Sequence, residues 1–337
     1  MIRDAIQKAV RGEDLTQEEA VAVMMEIMEG MASPAQIGCF LTALRLKGET
    51  VAEITGFAEV MREKATRIRC GREDVVDTCG TGGDGLFTFN VSTCAAFVAA
   101  GAGVAIAKHG NRSVSSGCGS ADVLKEVGVN VEAEPGVVER CVESVGIGFL
   151  FAPKLHLAMK HAIGPRREIG IRTVFNILGP LTNPAGARRQ LLGVYDGALT
   201  ETIAGVLNNL GSERVFVVHG EDGLDEISTT GPTQVTELNA SQTRTYSVHP
   251  EEFGLPVSSI EDLKGGDAAT NAAILKEVLS GGKGPKRDIV VLNSAAVIVA
   301  GGKAEKLKEG LELAEESIDS GGAMQKLNDL IEASNAA

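Results

Sequence analysis

A glycine-rich stretch, DTCGTGGDGLFTFNVST at residues 77–93, is the part of the 337-residue sequence whose residue types most clearly suggest chemistry. A short apolar run ends at Asp77, and we expect a helix to begin near Asn90. The glycines between them let backbone N–H groups point into a concave space, so a phosphate can approach without meeting a Cβ atom. Ser92 and Thr93 would lie at the helix N terminus, where amides and hydroxyls suit a phosphate. The stretch is neither a P-loop nor a dinucleotide-binding fingerprint, and alone it is equally typical of a structural turn.

Cationic and hydroxyl side chains crowd a second stretch, KHGNRSVSSGCGSADVL at residues 108–124. Lys108, His109 and Arg112 lie close together, and a lysine charge beside hydroxyl groups suits a diphosphate. Ser120 is expected to cap the helix ADVLKEVG. The other hydrogen-bonding side chains of the stretch are Asn111, Ser113, Ser115 and Ser116. A solvated basic loop beside a capped helix is the alternative interpretation.

A third stretch, HLAMKHAIGPRREIGIRT at residues 156–173, could receive a carboxylate. Arg166 could form a bidentate pair with it, and His156 and Met159 would line an aromatic slot. A histidine in such a segment is more often a hydrogen-bonded core residue, and the neighbouring arginines could equally form structural ion pairs.

A fourth stretch, EDGLDEIS at residues 221–228, follows the apolar run VFVVHG. Asp225 and Glu226 are adjacent carboxylates at the end of an expected strand. Hard oxygen ligands of this kind can hold Mg²⁺ together with substrate phosphates. An acidic surface turn is the alternative.

The elements that must position these stretches fall into two kinds. About the first 65 residues have only helical patterns, and Gly48 is expected to end one of the helices. Three helical runs are preceded by capping signals, namely Thr16 with Glu19, Ser33 followed by Pro34, and Thr50 with Glu53. A small all-helical N-terminal domain is therefore predicted.

After residue 72 the pattern changes to short apolar runs that alternate with helical ones. The predicted strands are residues 75–77, 104–107, 148–152, 191–195, 214–219 and 288–293. The predicted helices between them are residues 91–101, 121–128, 137–145, 199–211 and 268–279. This alternation predicts an α/β fold with a mostly parallel central sheet covered on both faces, in which ligands lie beyond the carboxyl ends of the strands.

The expected organisation is a helical domain at residues 1–70, joined by part of 164–187, packed on a larger α/β domain at residues 71–337. Residues 281–287, GGKGPKR, are expected to form a mobile loop. Residues 164–187 are expected to form a long irregular connection, which inside a compact domain is more often functional than not.

Charge and cysteine content narrow the classes of function. With 32 basic and 45 acidic residues the net charge is −13, so nucleic acid and anionic membranes are not expected as partners, although a local cationic cluster can still bind a small polyanion. The six cysteines show no C-x-x-C pair, which favours reduced thiols and a cytoplasmic protein. The charged N terminus has no apolar signal core, and no apolar run is long enough to cross a bilayer.

In combination, the four stretches resemble one known family. GTGGDG…FNVST, KHGNRSVSS…GSADVL, RREIGIRT…GPLTNPA and DGLDEIS, in this order, are similar to the motifs of the anthranilate phosphoribosyltransferases. The resemblance extends over essentially the whole chain. It implies a magnesium-dependent transfer of the 5-phosphoribosyl group from phosphoribosyl pyrophosphate to anthranilate, in tryptophan biosynthesis, by a homodimer assembled through the helical domain.

The resemblance also implies roles for individual positions. Those matching the phosphoribosyl pyrophosphate site are Gly80, Gly82, Gly83, Asp84, Thr88, Asn90, Ser92, Thr93, Lys108 and Ser120. Those matching the anthranilate site are Gly80, His109, Asn111, His156, Met159 and Arg166. The implied magnesium ligands are Ser92, Asp225 and Glu226. Catalysis would fall to Lys108, Arg166, Asp225 and Glu226. One departure is Leu157, where related enzymes usually have proline.

Two alternatives share this resemblance in part. A pyrimidine nucleoside phosphorylase would share the fold and the phosphate loops, although the acidic pair and the Arg166 segment argue against it. A non-catalytic relative that binds nucleic acid is disfavoured by the net charge of −13. A nicotinamide-dependent oxidoreductase fits less well, because the glycine pattern and the expected downstream acidic residue do not match.

Overall fold

Helices alone form the N-terminal part of the chain. They are α1 (Ile2–Val10), α2 (Gln17–Met28), α3 (Pro34–Lys47) and α4 (Val51–Lys64). The predicted capping signals are confirmed, since Thr16, Ser33 and Thr50 each accept a hydrogen bond from the backbone N–H three residues later. Gly48, with a φ of +88°, ends α3 as predicted. The computed structural model describes residues 1–83, 85–112 and 117–336.

A seven-stranded sheet forms the centre of the remaining chain. Its strands are β1 (Val76–Gly80), β2 (Ile106–Gly110), β3 (Ile147–Phe151), β4 (Arg189–Gly193), β5 (Arg214–Gly220), β6 (Thr233–Asn239) and β7 (Gln242–Val248). Their order is β3-β2-β1-β4-β5-β6-β7. Neighbouring strands from β3 to β5 pair in parallel, and β6 pairs antiparallel with both β5 and β7. The predicted mostly parallel sheet is confirmed.

The other elements cover this sheet. The α-helices are α5 (Val91–Gly101), α6 (Ser120–Glu126), α7 (Pro135–Arg140), α8 (Ala152–Leu155), α9 (Lys160–Ile169), α10 (Phe175–Leu178), α11 (Leu199–Asn209), α12 (Ala268–Leu279), α13 (Pro285–Ala300), α14 (Leu307–Asp319) and α15 (Gly322–Asn335). A π-helical turn spans Cys141–Val145, and 3-10 turns span Leu157–Met159, Gly179–Leu181, Pro250–Phe253 and Ile260–Leu263. Every described helix falls short of the length or apolar character that a bilayer-spanning segment needs.

Alternation along the strands divides the core into two layers, because successive strand side chains point to opposite faces. Leu191 and Phe216 belong to the layer that α5, α12, α13, α14 and α15 complete. Leu192 and Val215 belong to the layer that contains α11 and the N-terminal helices, together with Phe175. Helix α9 packs against α2 and α3 in the same layer. The segment 160–181 therefore belongs to the apolar layer between the N-terminal helices and the sheet.

One predicted strand is wrong. Residues 288–293 lie inside α13, a helix of 16 residues that starts with Pro285 at its first position. Nearly all of its side chains are buried because α5, α14 and the sheet surround it. A helix that is apolar on every side has no 3.6-residue pattern to distinguish it from a buried strand, which explains the error.

The remaining corrections concern connections. Sequence patterns do not reveal the hairpin of β6 and β7, because its turn residues Ala240 and Ser241 adopt positive φ angles without the usual Asn-Gly signature, and most of β7 is exposed. The expected loop at residues 281–287 is shorter, since α13 already begins at Pro285. The expectation of an irregular segment at 164–187 is wrong in part, since the segment contains most of α9, all of α10 and a 3-10 turn.

The two capping boxes of α2 and α4 differ in burial and give a matched test. Glu53 is fully buried, accepts from the Leu15 and Thr50 amides, and pairs with Lys47 at 3.0 Å, whereas Glu19 is exposed to solvent for about a third of its side chain. Glu53→Ala leaves two amides without their partner and the buried Lys47 charge with only the exposed Asp14 carboxylate, so it should lower the free energy of unfolding by about 3 kcal/mol. Glu19→Ala removes the bond from the Thr16 amide and a solvent-exposed ion pair with Lys8, so it should cost about 1 kcal/mol. Urea titrations measure both, and equal losses would contradict the assigned role of the buried ion pair.

Candidate functional site

The carboxyl ends of β1 and β4 lie at the point where the chain crosses from one side of the sheet to the other. Gly80 and Gly193 are paired there across the two strands. The backbone of Asp225, which follows β5, passes directly over this pair. A Cβ atom on Gly193 would overlap the Asp225 carbonyl oxygen, and one on Gly80 would overlap its carboxylate. Both glycines therefore serve a close approach of the acidic loop to the sheet, at the place where open α/β sheets bind ligands.

The two adjacent carboxylates of the acidic loop contact two different backbone amides. Asp225 Oδ2 accepts a hydrogen bond of 2.7 Å from the Gly82 N–H in the glycine-rich loop. Glu226 Oε1 accepts one of 3.1 Å from the Ser92 N–H, in the first turn of α5. The glycine loop, the N terminus of α5 and the acidic loop are thus joined at one place. Charge-assisted bonds of this kind are stronger than neutral ones.

Lys108 lies beneath this junction, near the end of β2. Its Nζ donates to the Thr78 carbonyl and, at 3.3 Å, to Ser92 Oγ. Burial lowers the pKa of Lys108, while the negative charges of Asp77 and Glu226 oppose that shift. Asp77 is itself fully buried and accepts from the His109 amide at 3.0 Å, and burial raises its pKa. The lysine charge is therefore held at the α5 N terminus by groups from β1 and α5.

The chain leaving the glycine loop is fixed by a second set of contacts. Thr88 forms an isolated antiparallel bridge with Lys264. Asn90 donates to the Cys118 carbonyl at 3.2 Å and accepts from Asn271 Nδ2 at 3.1 Å. Thr93 is buried on α5, and its hydroxyl has no hydrogen-bond partner among the described residues. Thr88 and Asn90 therefore lie between the glycine loop and α5, and Thr93 lies in the first turn of α5.

The glycine loop itself is held from the other side. Gly82 and Gly83 have φ angles of +66° and +77°, which favour glycine. The Arg172 guanidinium donates to the Gly83 carbonyl and stacks on the Tyr195 ring at 4.4 Å. Asp84, a predicted contact of the donor, lies outside the described residues.

The stretch after β2 is described only at its two ends. Asn111 is exposed, and its carbonyl accepts from the Ser120 hydroxyl at 3.3 Å and from the Ala121 amide. The expectation that Ser120 caps α6 is wrong, because Gly119 occupies the N-cap and Ser120 is the first helical residue. The Ser120 hydroxyl instead bonds to the Asn111 carbonyl. The hydrogen-bonding residues predicted at 113, 115 and 116 lie outside the described residues.

Two histidines predicted near the acceptor site are in contact with each other. The ring centroids of His109 and His156 are 5.1 Å apart, and both rings are buried. Burial lowers the pKa of His109 to about 3 and that of His156 to about 4. The Nε2 atoms of both rings have no hydrogen-bond partner in the part of the chain that the structure describes. Both imidazoles are therefore neutral at neutral pH.

Arg166 lies on α9. Its guanidinium is 4.9 Å from the centre of the Phe175 ring, and burial lowers its pKa. Within residues 1–83, 85–112 and 117–336 no carboxylate lies within salt-bridge distance of it. Met159 packs against the apolar layer that contains Phe175. Leu157, at the position of the usual proline, is 63% exposed.

Sequence reasoning missed several residues that hold these stretches in place. Gly193 went unnoticed because an isolated glycine at the end of a strand has many causes. Asn271 and Asn293 went unnoticed because each is one amide in a helix remote in sequence from the motifs. Asn183 lies in the GPLTNPA motif and donates to the Ala107 carbonyl at 2.8 Å. The only available signal was the presence of polar residues in otherwise apolar runs.

Comparison with known proteins identifies the class first. Residues 3–65 match the helical bundle domain of the glycosyl transferase family, and residues 72–324 match its α/β domain. Sequence relatives are more specific. An anthranilate phosphoribosyltransferase of Pelotomaculum thermopropionicum is 59% identical, with 98% of this chain and 96% of the relative covered. One of Acetivibrio thermocellus is 56% identical, with 100% and 97% covered.

Solved structures agree with the sequence relatives. The anthranilate phosphoribosyltransferase of Thermus thermophilus has a TM-score of 0.94 at 46% identity, with 99% of this chain and 100% of that chain covered. The Saccharomyces cerevisiae enzyme in complex with PRPP and Mg has a TM-score of 0.90 at 30% identity, with 100% and 98% covered. The chain therefore belongs to the anthranilate phosphoribosyltransferases, within the glycosyl transferase family.

The buried histidine pair predicts a specific pH dependence of stability. The pKa values of about 3 and 4 in the folded protein lie below the unfolded value near 6.5, so the unfolded chain binds more protons below pH 6.5. The free energy of unfolding should therefore decrease as the pH falls from about 6.5 towards 4. His109→Asn and His156→Asn should each make this decrease shallower than in the wild type. Urea titrations across the range measure it, and parallel curves for all three proteins would contradict the shifted pKa values.

Proposed function

We propose that the chain transfers the 5-phosphoribosyl group from phosphoribosyl pyrophosphate to anthranilate, giving N-(5-phosphoribosyl)anthranilate and pyrophosphate, a step of tryptophan biosynthesis. The observation that carries the proposal is the junction of the glycine loop, the α5 N terminus and the carboxylates of Asp225 and Glu226. A nucleoside phosphorylase needs no paired carboxylates for a metal-bound diphosphate. Membership of the anthranilate phosphoribosyltransferases agrees with this reaction. We therefore do not retain the nucleoside phosphorylase, the nucleic-acid-binding relative or the oxidoreductase.

The proposed metal is Mg²⁺, held by Asp225, Glu226 and Ser92. All three offer hard oxygen atoms, and the backbone contact between Ser92 and Glu226 places two of these residues side by side. Among the described residues, no three His, Cys, Asp or Glu side chains form a ready-made metal cluster. Two carboxylates and one hydroxyl nevertheless fit magnesium, which usually binds through one or two carboxylates together with substrate phosphates and water. When bound, the ion would neutralise negative charge on the diphosphate.

The main task of the protein is to stabilise the charge that develops on the leaving pyrophosphate as the bond to the ribose C1 breaks. Gly80, Gly82 and Gly83 supply a loop whose backbone can approach phosphate oxygens, and the first turn of α5 adds its dipole. Lys108 contributes a fixed positive charge beneath Ser92. Because these groups are fixed before the reaction, little reorganisation opposes charge development.

The acceptor is an aromatic amine and a weak nucleophile, so its position matters greatly. We infer that Arg166 binds the anthranilate carboxylate, since its half-buried guanidinium has no carboxylate partner in the described chain. Met159, the neutral His109 and His156, and Asn111 would complete the slot. Orienting two reactants can contribute about 7–11 kcal/mol to lowering the barrier. We assign no general base, and the ortho carboxylate of anthranilate itself could assist loss of the amine proton.

The wider organisation is proposed on similar grounds. We place the domain boundary near residue 70 and include part of 164–187 with the helical domain, because α9 packs against α2 and α3. A homodimer through the helical domain is favoured by the exposed apolar side chains of Val10, Met31 and Leu46. A reducing, cytoplasmic compartment is favoured by the six unpaired cysteines.

Arg166→Ala should raise the KM for anthranilate by roughly ten- to a hundredfold, since hydrogen bonds to charged groups contribute about 1.5–3 kcal/mol. The KM for phosphoribosyl pyrophosphate should change little. Arg167→Ala is the matched control, because it removes an exposed arginine one residue further along α9. Steady-state kinetics with each substrate varied in turn measure the effects, and equal increases in both KM values would disprove the assigned role.

The activity and its metal requirement can be tested together. Anthranilate fluorescence should decrease when the protein is mixed with phosphoribosyl pyrophosphate and Mg²⁺, and an absence of decrease would refute the proposed reaction. Asp225→Asn combined with Glu226→Gln should raise the Mg²⁺ concentration for half-maximal rate by more than about tenfold, because even groups that only support a metal ligand cost about that much affinity when they are removed. Glu221→Gln, an exposed carboxylate of the same loop, is the control. An unchanged metal dependence in the double variant would exclude both residues as ligands.

A further inference from the structure

Asn293 connects the interior of α13 to the acidic loop. Its Oδ1 accepts a hydrogen bond of 2.9 Å from the Ile227 N–H, and its Nδ2 donates to the Ile227 carbonyl at 2.8 Å. A third bond of 2.8 Å joins Nδ2 to the Ile289 carbonyl within the helix. Ile227 directly follows Glu226, so the amide grips the backbone next to the two carboxylates. Asn293 is fully buried.

The hydrogen-bonding capacity of the side chain explains why asparagine suits this position. An amide has one acceptor oxygen and two N–H donors, and here it meets one N–H and two carbonyls. Only one orientation of the amide satisfies all three partners. An apolar residue of similar size would leave the Ile227 N–H and carbonyl without a partner in the core, which is costly. A carboxylate of the same shape would face two carbonyl oxygens without a proton to donate.

Several hydrogen bonds of the loop stay within residues 220–233: the Gly220 N–H donates to the Leu224 carbonyl, the Leu224 N–H to Asp222, and the Ser228 N–H to Thr233. Asp225 and Glu226 contact Gly82 and Ser92 through their side chains, which are the groups required for a ligand. The Ile227 backbone, next to Glu226, is instead held by a side chain of α13, which is remote in sequence. Helix α13 also packs against α5, whose N terminus carries Ser92. One rigid helix thus supports both parts of the junction.

We propose that Asn293 is a positioning residue, which fixes the acidic loop so that Asp225 and Glu226 are presented together to the magnesium–diphosphate group of the donor. This inference rests on the proposed function of the carboxylate pair. It extends that function by assigning the alignment of the pair to a buried amide outside the four motifs. Outer residues that orient metal ligands affect metal affinity without contacting the ion.

Ser294 provides a matched control. It is the next residue of α13, is equally buried, and its hydroxyl donates to the Val290 carbonyl inside the helix at 2.6 Å. Ser294→Ala therefore removes a buried polar group from the same place without affecting the Ile227 contact. Asn293→Leu removes both bonds to Ile227 while approximately keeping the side-chain volume.

The experiment uses the full chain and two measurements. Hydrogen exchange of the unliganded protein, followed in peptides covering residues 221–230, reports how firmly the loop is held. Calorimetric titration with phosphoribosyl pyrophosphate at several Mg²⁺ concentrations, without anthranilate, reports donor binding. Asn293→Leu should speed exchange in these peptides and weaken magnesium-dependent donor binding by roughly ten- to a hundredfold, with the anthranilate KM within about twofold of wild type. Ser294→Ala should leave both measurements unchanged.

Other outcomes overturn the inference. If Asn293→Leu lowers the melting temperature but binds the donor as the wild type does, Asn293 only packs the core. If Ser294→Ala produces the same changes, the effect is not specific to the loop. If Asn293→Leu fails to fold, hydrogen exchange of the wild-type protein still tests the inference. An Ile227 amide that exchanges as fast as one in an exposed turn is not held by Asn293, which would overturn the proposal. The double variant of Asp225 and Glu226 separates the two proposals, since wild-type metal-dependent binding by it refutes the carboxylate role itself.

Discussion

The close approach of Asp225, by its carboxylate to Gly80 and by its backbone to Gly193, is the constraint on which the site depends. Two parallel strands end in glycines that are paired with each other, and the missing Cβ atoms leave the space that the acidic loop occupies. Any side chain at either position would push the loop away from the sheet. Because the loop is seated there, its carboxylates reach the Gly82 amide and the first turn of α5. The distance between groups far apart in sequence is thus set by strand register.

The local electrostatics of this junction differ from those of the protein as a whole, which is acidic. The net charge of −13 repels large anions, yet the site gathers a buried lysine and backbone amides around the carboxylates. Lys108 keeps its position because Asp77, Thr78 and Ser92 surround it, although burial disfavours its charge. Carboxylates, amides and a lysine gathered at one junction favour a substrate that brings both a diphosphate and a divalent cation. The histidine pair near the end of β2 is kept neutral by burial, so it adds polarity without adding charge.

Support for the site comes largely from side chains that do not face it. Asn271 orients Asn90 at the start of α5, and Asn183 bonds to the Ala107 carbonyl on β2. Asn293 holds the backbone that follows Glu226. Each is a buried amide with main-chain partners, joined by the Asn90 amide for Asn271 and by the Asp77 carboxylate for Asn183. Each therefore fixes a loop without adding a charge of its own to the core. The loops can therefore be rich in glycine and polar residues and still be held in one arrangement.

The sequence by itself determined the local features of this protein. Capping boxes such as Thr16 with Glu19, the glycine loop, the α/β alternation and the order of the four motifs are all written in short segments, and they sufficed for the fold class. It could not place residues 288–293, because a helix buried on every side lacks periodicity. Nor could it show that Gly193, Asn271 and Asn293 hold the site, or that His109 would contact His156. Those relationships join residues that are tens to hundreds of positions apart, and only the register of the sheet and the packing of helices against it bring them into contact.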